Sequence, residues 1–135
     1  MIPRDLQLVA LRPEIPSARV SENMSLDEQF QNRTLRPIAK LQDELLLEVF
    51  RNYTKKHKNK FYELKLEKRF IYIENAIQKD IKFRNSLKGI IIGQFTLEEY
   101  ANYIENSSAL NKRMMNIVKE RLQSNIQLLE EEIAY

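Results

Sequence analysis

One long stretch of the chain, residues 25–57, constrains the fold more than any other. From position 35 onward its apolar residues recur every three or four positions, at Leu35, Ile38, Leu41, Leu45, Val49 and Tyr53. This spacing places them on one face of an α-helix with about 3.6 residues per turn. Because an isolated helix with such a face is not stable in water, the apolar face must be buried against other helices.

Similar stripes in the rest of the chain predict further helices. One stripe fails near residue 82 and a new one starts at Phe83, which predicts helices over about 65–79 and 81–93, with a single bent helix as the alternative. The last stripe predicts a helix over about 109–132. Two Gly and four Pro among 135 residues also favour helices over a turn-rich β fold. We therefore expect an all-α protein, a bundle of four or five helices with an extended N-terminal arm.

Three polar residues are the expected N-caps of these helices. Ser25 is followed three positions later by Glu28, and Thr96 by Glu99, which is the spacing of a capping box. Asp80 is the candidate cap of the helix that starts at position 81. The short helix after Thr96 is expected to bury the apolar residues Leu97, Tyr100, Ala101 and Ile104.

Pro37 interrupts the first stripe, because a proline inside a helix removes a hydrogen bond and costs about 3 kcal/mol. The sequence favours two helical pieces, over about 26–34 and 36–56, with Pro37 in the first turn of the second. A kink within one long helix is the alternative.

The first 24 residues differ in character from the helical domain expected at 25–135. Prolines at positions 3, 13 and 16 disfavour helix, and the apolar residues between them keep no period. The arm is either mobile or loosely attached to the bundle, or it becomes ordered on a partner. In the second case its anchors are Leu6, Leu8 and Leu11.

Positive charge is concentrated between Arg51 and Arg69, a segment that contains eight basic residues and only two acidic ones. A solvated loop, a contact with nucleic acid and a contact with an acidic protein surface would all produce this pattern. Interleaved aromatic residues add the possibility of stacking on bases while lysines hold phosphates. The candidate partner-binding residues here are Lys55, Lys56, Lys58, Lys60 and Arg69.

The sequence offers little for catalysis or metal binding. There is no Cys, and the single histidine, His57, lies among lysines that repel a metal ion. The acidic residues Asp43, Glu44 and Glu48 are expected on a solvated face, and Glu130, Glu131 and Glu132 form an acidic run. We expect no catalytic residue, no metal and no cofactor. The absence of a signal-peptide pattern and of a long apolar run predicts a cytoplasmic protein that does not enter the membrane.

Most of the chain, from about Phe30 to Ile126, resembles a functionally uncharacterised family of small helical bacterial proteins that often carry the label glyoxalase. The matching stretches are FQNRTLRPIAKLQDELLLEVFRNY at 30–53 and RNSLKGIIIGQFTLEEY at 84–100, followed by NSS at 106–108. The label implies glyoxalase activity. The glyoxalases themselves use paired βαβββ units with His and Glu ligands, or a histidine-rich dinuclear metal motif. Neither pattern is present here, so no site residue is carried over.

We therefore expect a non-enzymatic accessory subunit that docks on a protein partner or larger macromolecular assembly through its N-terminal arm and its basic 51–69 segment. Gene-expression machinery is a plausible host, because its surfaces combine protein and nucleic acid. Two alternatives remain open: a small enzyme of the glyoxalase-labelled type, acting through carboxylates or arginines in a cleft, and a direct nucleic-acid-binding protein. The sequence also leaves homo-oligomers open.

Overall fold

The chain is all α-helical in the computed structural model, which describes residues 1–130, and no β-strand occurs in that range. The expectation of an all-α fold is confirmed. The helices are α1 (Pro3–Leu11), α2 (Leu26–Phe30), α3 (Arg36–Leu41), α4 (Asp43–Lys56), α5 (Leu66–Lys79), α6 (Ile81–Ile92), α7 (Leu97–Ile104) and α8 (Ser107–Ser124). A π-helical segment, Gln31–Leu35, joins α2 to α3, and short 3₁₀ turns lie at Lys60–Glu63 and Ile126–Leu129. The expected count of four or five helices is therefore wrong.

Helix α8 is the centre of the fold, because it packs against every helix from α3 to α7. Its fully buried residues include Met114, Val118 and Leu122. They meet Phe50 of α4 and Leu87 of α6 in one continuous core. The apolar stripes of the sequence thus become the shared interior of the bundle, as their spacing predicts.

Three predicted N-caps are observed. The Ser25 hydroxyl accepts a hydrogen bond from the Glu28 N–H at 3.1 Å. Asp80 caps α6 by accepting from the Phe83 N–H at 3.1 Å. At Thr96 the full reciprocal capping box forms with Glu99. Each cap satisfies N–H groups that lack an intrahelical partner, which explains why α2, α6 and α7 begin where they do.

The chain does not break at Pro37. The π-helical segment carries it directly into α3, and the Arg36 N–H bonds to the Gln31 carbonyl five residues earlier. Because Pro37 has no N–H to offer, the wider π turn keeps the backbone helical there. The predicted second piece, about 36–56, is instead divided at Gln42, whose φ and ψ of −92° and 5° separate α3 from α4.

The N-terminal segment is not the extended arm that its prolines suggested, because Pro3–Leu11 forms helix α1. Pro3 stands in the first helical turn, where the missing N–H does no harm and the fixed φ suits a helix. Asp5 on this helix is 4% exposed, so α1 lies against the body of the protein.

The predicted end of the last helix also needs correction. Helix α8 ends at Ser124 instead of continuing toward residue 132, because the backbone turns at Asn125 into the final 3₁₀ turn. The end of the predicted helix, and Glu131 and Glu132 of the acidic run, lie outside the described residues. No helix within residues 1–130 combines the length and the hydropathy needed to cross a membrane.

Candidate functional site

A partly buried ion pair fastens the N-terminal segment to α7. The Arg12 guanidinium donates to both carboxylate oxygens of Glu99, with both N···O distances 2.7 Å, and to the Gln94 carbonyl at 2.9 Å. The two side chains are only 9% and 15% exposed. Two parallel hydrogen bonds between a guanidinium and a carboxylate fix the orientation of both groups and strengthen their electrostatic attraction.

Glu99 also receives hydrogen bonds from the rest of the fold. The Thr34 hydroxyl, held inward by the π-helical segment, donates to it at 2.8 Å, and so does the Thr96 N–H. Burial of Glu99 acts to raise its pKa, but the hydrogen bonds from Arg12, the Thr96 backbone and Thr34 outweigh it and the pKa is lowered. Because its pKa is lowered and four donors surround it, the Glu99 carboxylate stays ionised near neutral pH. It therefore suits a structural role better than a role in proton transfer.

Asp5 and Arg4 complete this attachment of α1. One Asp5 carboxylate oxygen accepts from the Leu97 N–H at 3.0 Å, so that a carboxylate lies at the N-terminus of α7. Arg4 donates to the Phe95 carbonyl at 2.9 Å and to the Gly93 carbonyl at 3.1 Å. Helix α1 is therefore a structural wall of the protein.

This wall borders an open cleft of about 700 Å³ between α1, α2 and α7. The apolar lining comes from Val9 of α1, Leu26 and Phe30 of α2, and the buried Leu110 of α8. Leu26 is 82% exposed, the largest exposed fraction among the large apolar side chains of residues 1–130. The cleft thus combines a buried apolar floor with an apolar residue in solvent at its edge.

The rim of the cleft is mainly acidic. Asp27, Glu98 and Glu105 line it, against one basic side chain, Arg33. Asp27 is held in place by the Asn106 amide, which donates to its two oxygens at 2.9 and 3.1 Å. These acids give the cleft a negative potential that favours cations.

A second apolar surface lies on α7, where the sequence predicted buried residues. Leu97, Tyr100 and Ile104 are 61%, 48% and 54% exposed, and Ala101 is exposed as well. The prediction was wrong because α7 turns another face inward, which carries Glu99 and the buried Tyr103. On this inward face Glu99 pairs with Arg12, and the Tyr103 ring packs against the Phe95 ring at 5.5 Å between centroids.

The sequence-predicted partner residues fall in different places. Leu6 and Leu11 on α1 are exposed, whereas Leu8 is partly buried. The four lysines Lys55, Lys56, Lys58 and Lys60 are all exposed, and none forms an ion pair within the described part of the chain. None of these seven residues lines the cleft between α1, α2 and α7.

Arg69 is engaged inside the fold and is the least accessible of the predicted basic contacts. It donates to the Leu64 and Tyr62 carbonyls at 3.0 and 3.1 Å and pairs with Glu130 at 3.1 Å. Its guanidinium carbon also lies 5.2 Å from the centre of the Phe61 ring. These contacts hold the 3₁₀ turn after α4 in place.

A second cleft, of about 490 Å³, lies between the end of α4 and the corner between α5 and α6. Tyr53 and Tyr72 line it, and the Tyr53 hydroxyl donates to Asp80 at 3.2 Å. Burial, followed by the charge and hydrogen bond of Asp80, raises the pKa of Tyr53 to about 12. The exposed His57 ring lies 4.3 Å from the Tyr53 ring, between centroids.

Of the three carboxylates predicted on a solvated face of α4, one is partly buried and two are exposed. Asp43 is partly buried and forms an ion pair with Arg121, which joins the start of α4 to the end of α8. Glu44 and Glu48 are exposed. Across residues 1–130 no three His, Asp or Glu side chains are grouped so that they could hold a metal ion.

Sequence reasoning missed the residues that attach α1 beside the first cleft. The sequence places Arg12 and Asp5 in the expected arm and gives Glu99 only a role in a capping box. Thr96 and Glu99 at capping-box spacing indicated the start of α7, but no local pattern indicates which distant arginine meets the carboxylate. Comparison with known proteins finds no family model, curated protein or solved structure that matches this chain, and the resemblance described above stays a prediction.

Proposed function

We propose that this protein is a non-enzymatic helical subunit that docks on a larger assembly. Its cleft between α1, α2 and α7 binds a basic, partly apolar segment of a protein partner. The observation that carries the proposal is the combination of an apolar floor with an acidic rim. Gene-expression machinery is the proposed host, since such assemblies present both basic protein segments and nucleic acid.

The charges of the cleft specify the partner's chemistry. Asp27, Glu98 and Glu105 surround an apolar floor that includes Phe30 and Leu110. A segment that places leucine or another apolar side chain on the floor and lysine or arginine at the rim satisfies both surfaces. Complementary charge mainly sets orientation and association rate, while the buried apolar anchor supplies most of the affinity.

The surroundings of the cleft favour a macromolecule over a small metabolite. Leu26 at its edge and the α7 surface of Leu97, Tyr100 and Ile104 together expose apolar area on adjoining elements. The three α7 residues recur at helical spacing and therefore share one helix face, and a contiguous exposed apolar face is typical of an interaction surface. A protein partner that fills the cleft also has neighbouring apolar residues to cover.

A second contact face is proposed at the lysine-rich end of α4, which carries Lys55, Lys56, Lys58 and Lys60. None of these lysines lines the acidic cleft, and their positive charge needs a different, anionic surface. The two faces together fit a subunit that bridges components of opposite charge.

A peptide titration followed by NMR tests the cleft. The probe is a synthetic amphipathic peptide with leucines at helical spacing and lysines between them. A second peptide keeps the leucines and replaces each lysine with glutamate. The lysine peptide should shift the amide resonances of Leu26, Phe30 and Asn102, while the glutamate peptide should leave them unchanged.

Charge-reversal variants provide the matched control. Glu98→Lys with Glu105→Lys should weaken binding of the lysine peptide at least about tenfold, because rim attraction becomes repulsion. Glu44→Lys with Glu67→Lys makes the same charge change at exposed sites elsewhere and should leave binding unchanged. Equal binding of both peptides, shifts confined to other regions, or no binding of either would overturn the proposal.

A further inference from the structure

The chain carries, besides its acidic cleft, a surface of opposite charge. This surface, the basic end, comprises the exposed lysines at the end of α4, in the 3₁₀ turn after it and at the start of α5, which are Lys55, Lys56, Lys58, Lys60, Lys65 and Lys68. Two exposed acidic residues, Glu63 and Glu67, lie among them. None of the six lysines forms an ion pair within residues 1–130. Their charge therefore has no counterpart inside the described part of the chain.

The basic end has the shape and the apolar side chain that an open cleft could receive. Residues 55–60 are all exposed and form the longest uninterrupted exposed run in residues 1–130, as expected of a protruding turn. Leu66, in the first turn of α5, is 56% exposed. Arg69 donates to the Tyr62 carbonyl at 3.1 Å and so holds the start of α5 beside the 3₁₀ turn. The lysines and an exposed leucine thus lie on neighbouring elements.

The acidic cleft and the basic end lie at opposite ends of α8. Leu110, which lines the cleft, is in the first turn of α8. Arg51 of α4 donates to the Leu128 carbonyl, beyond the last turn of α8, and Lys55 follows Arg51 by about one helical turn. Between Leu110 and Ser124 the helix rises about 21 Å. One copy of the chain therefore cannot place its basic end in its own cleft.

We propose that the cleft of one copy receives the basic end of a second copy, so that the chains associate head to tail. The inference rests on the proposed function, because it names the occupant of the acidic cleft and the anionic surface that the lysines meet. Asp27, Glu98 and Glu105 at the rim attract the lysines, and Leu66 supplies an apolar side chain for the floor. Because two different surfaces meet, a pair keeps one free cleft and one free basic end, and can add a third chain or close into a ring.

The association should be weak and sensitive to salt. Exposed charge pairs contribute little each, and salt screens them. One protruding turn in one cleft also belongs to the small, transient class of interfaces. We therefore expect single chains in dilute solution and larger species only as the concentration rises.

Sedimentation velocity of the full chain, over a concentration series from the low micromolar to the millimolar range, tests the inference. The weight-average mass should rise past that of two chains. At about 1 M salt, where the Debye length is about 3 Å, it should return toward that of one chain. An excess of the lysine peptide should have the same effect at low salt, because the peptide competes for the cleft.

Two complementary variants identify the surfaces. Glu98→Gln with Glu105→Gln neutralises the cleft, and Lys56→Glu with Lys60→Glu reverses charge at the basic end. Each variant alone should associate at least about tenfold more weakly than the unaltered protein. Each keeps the surface that the other lacks, so an equimolar mixture should form a species of two chains and stop there. Glutamine is used in the cleft so that it does not attract the reversed basic end.

Two further variants complete the set. Lys40→Glu with Lys112→Glu makes the same charge change at exposed positions on α3 and α8, and should associate like the unaltered protein. Leu66→Ser removes the apolar side chain without changing charge and should weaken association, because a buried apolar anchor supplies much of the affinity of an interface.

Several results would overturn the inference. These are the mass of one chain throughout the series, undiminished association in the cleft, basic-end or Leu66 variant, or a mixture that forms nothing larger than each variant alone. The Lys56 and Lys60 variant has an intact cleft, so its titration with the lysine peptide tests the proposed function with self-association removed. If the peptide binds but the unaltered chain does not self-associate, only this inference fails, and the cleft is left to a basic segment of another protein.

Discussion

Replacement of Arg12 by alanine removes the residue that fastens the N-terminal helix to the bundle. The Arg12 side chain supplies three hydrogen bonds, two to Glu99 and one to the Gln94 carbonyl. Breaking a buried ion pair by removing one partner costs about 3–5 kcal/mol, because a buried charge is left uncompensated. That figure is an upper limit here, because the pair keeps some contact with solvent.

Two features of the site reduce the expected loss. Glu99 keeps the hydrogen bonds from the Thr96 N–H and the Thr34 hydroxyl when Arg12 is absent. The Arg12 Nε is buried without a hydrogen-bond partner among the described residues, so its removal also relieves an unsatisfied group. We therefore expect Arg12→Ala to lower the free energy of unfolding by about 2–3 kcal/mol. For a domain of this length that corresponds to about 7–10 °C in melting temperature.

Urea unfolding followed by circular dichroism measures this loss. The matched control is Arg19→Ala, because the Arg19 side chain is exposed and, among the described residues, bonds only to the nearby Pro16 carbonyl. A double-mutant cycle with Glu99→Ala isolates the pairwise interaction and should give a coupling of about 1.5–3 kcal/mol. If Arg12→Ala is no less stable than Arg19→Ala, or the coupling is near zero, the ion pair does not hold α1 and the reasoning is refuted.

Three further outcomes follow from the described contacts. The pKa of Glu99 is lowered in the folded state. Ionised Glu99 therefore stabilises the fold fully above the usual carboxyl pKa of about 4.3, and this contribution is lost as pH falls through the folded-state pKa. Melting temperatures measured at decreasing pH should show that the stability difference between the protein and Glu99→Gln shrinks over that range. Lys58→Gly should raise the free energy of unfolding by about 0.5–1 kcal/mol, because glycine adopts the observed φ of 63° without strain, and a loss in urea unfolding would contradict this. Asp80→Ala should destabilise the protein by about 1 kcal/mol through loss of the α6 cap. The same substitution should lower the pKa of Tyr53 from about 12 without returning it to 10, because Tyr53 stays buried. Ultraviolet titration against a Tyr53→Phe reference measures this shift.

Much of the helical architecture could be predicted from local patterns. The all-α class, the boundary between α5 and α6, and the caps at Ser25, Asp80 and Thr96 all depend on residues within a few positions of each other. Such features are encoded locally, by helical periodicity and by side chains that bond the nearest free N–H groups. The corresponding predictions agree with the structure to within one or two residues.

The first cleft could not be predicted, because it depends on contacts between distant parts of the chain. Arg12 and Glu99 are 87 positions apart, and the inward face of α7 carries Glu99 and the buried Tyr103, which leaves its apolar residues exposed. From amphipathicity alone, Leu97 and Ile104 belong in the core. The proline pattern of residues 1–24 similarly concealed α1, because a proline in the first turn favours a helix instead of ending it.

Hydrogen–deuterium exchange of the full chain, with and without the lysine peptide, tests the central claim most directly. That claim is that α1 is a docked wall of an acidic cleft that receives a basic protein segment. Amides late in α1 should be protected in the free protein, and amides of α1, α2 and α7 should gain protection when the peptide binds, while residues 55–60 should not change. Exchange of the α1 amides at the rate of an unstructured chain, or new protection only at residues 55–60, would contradict the account.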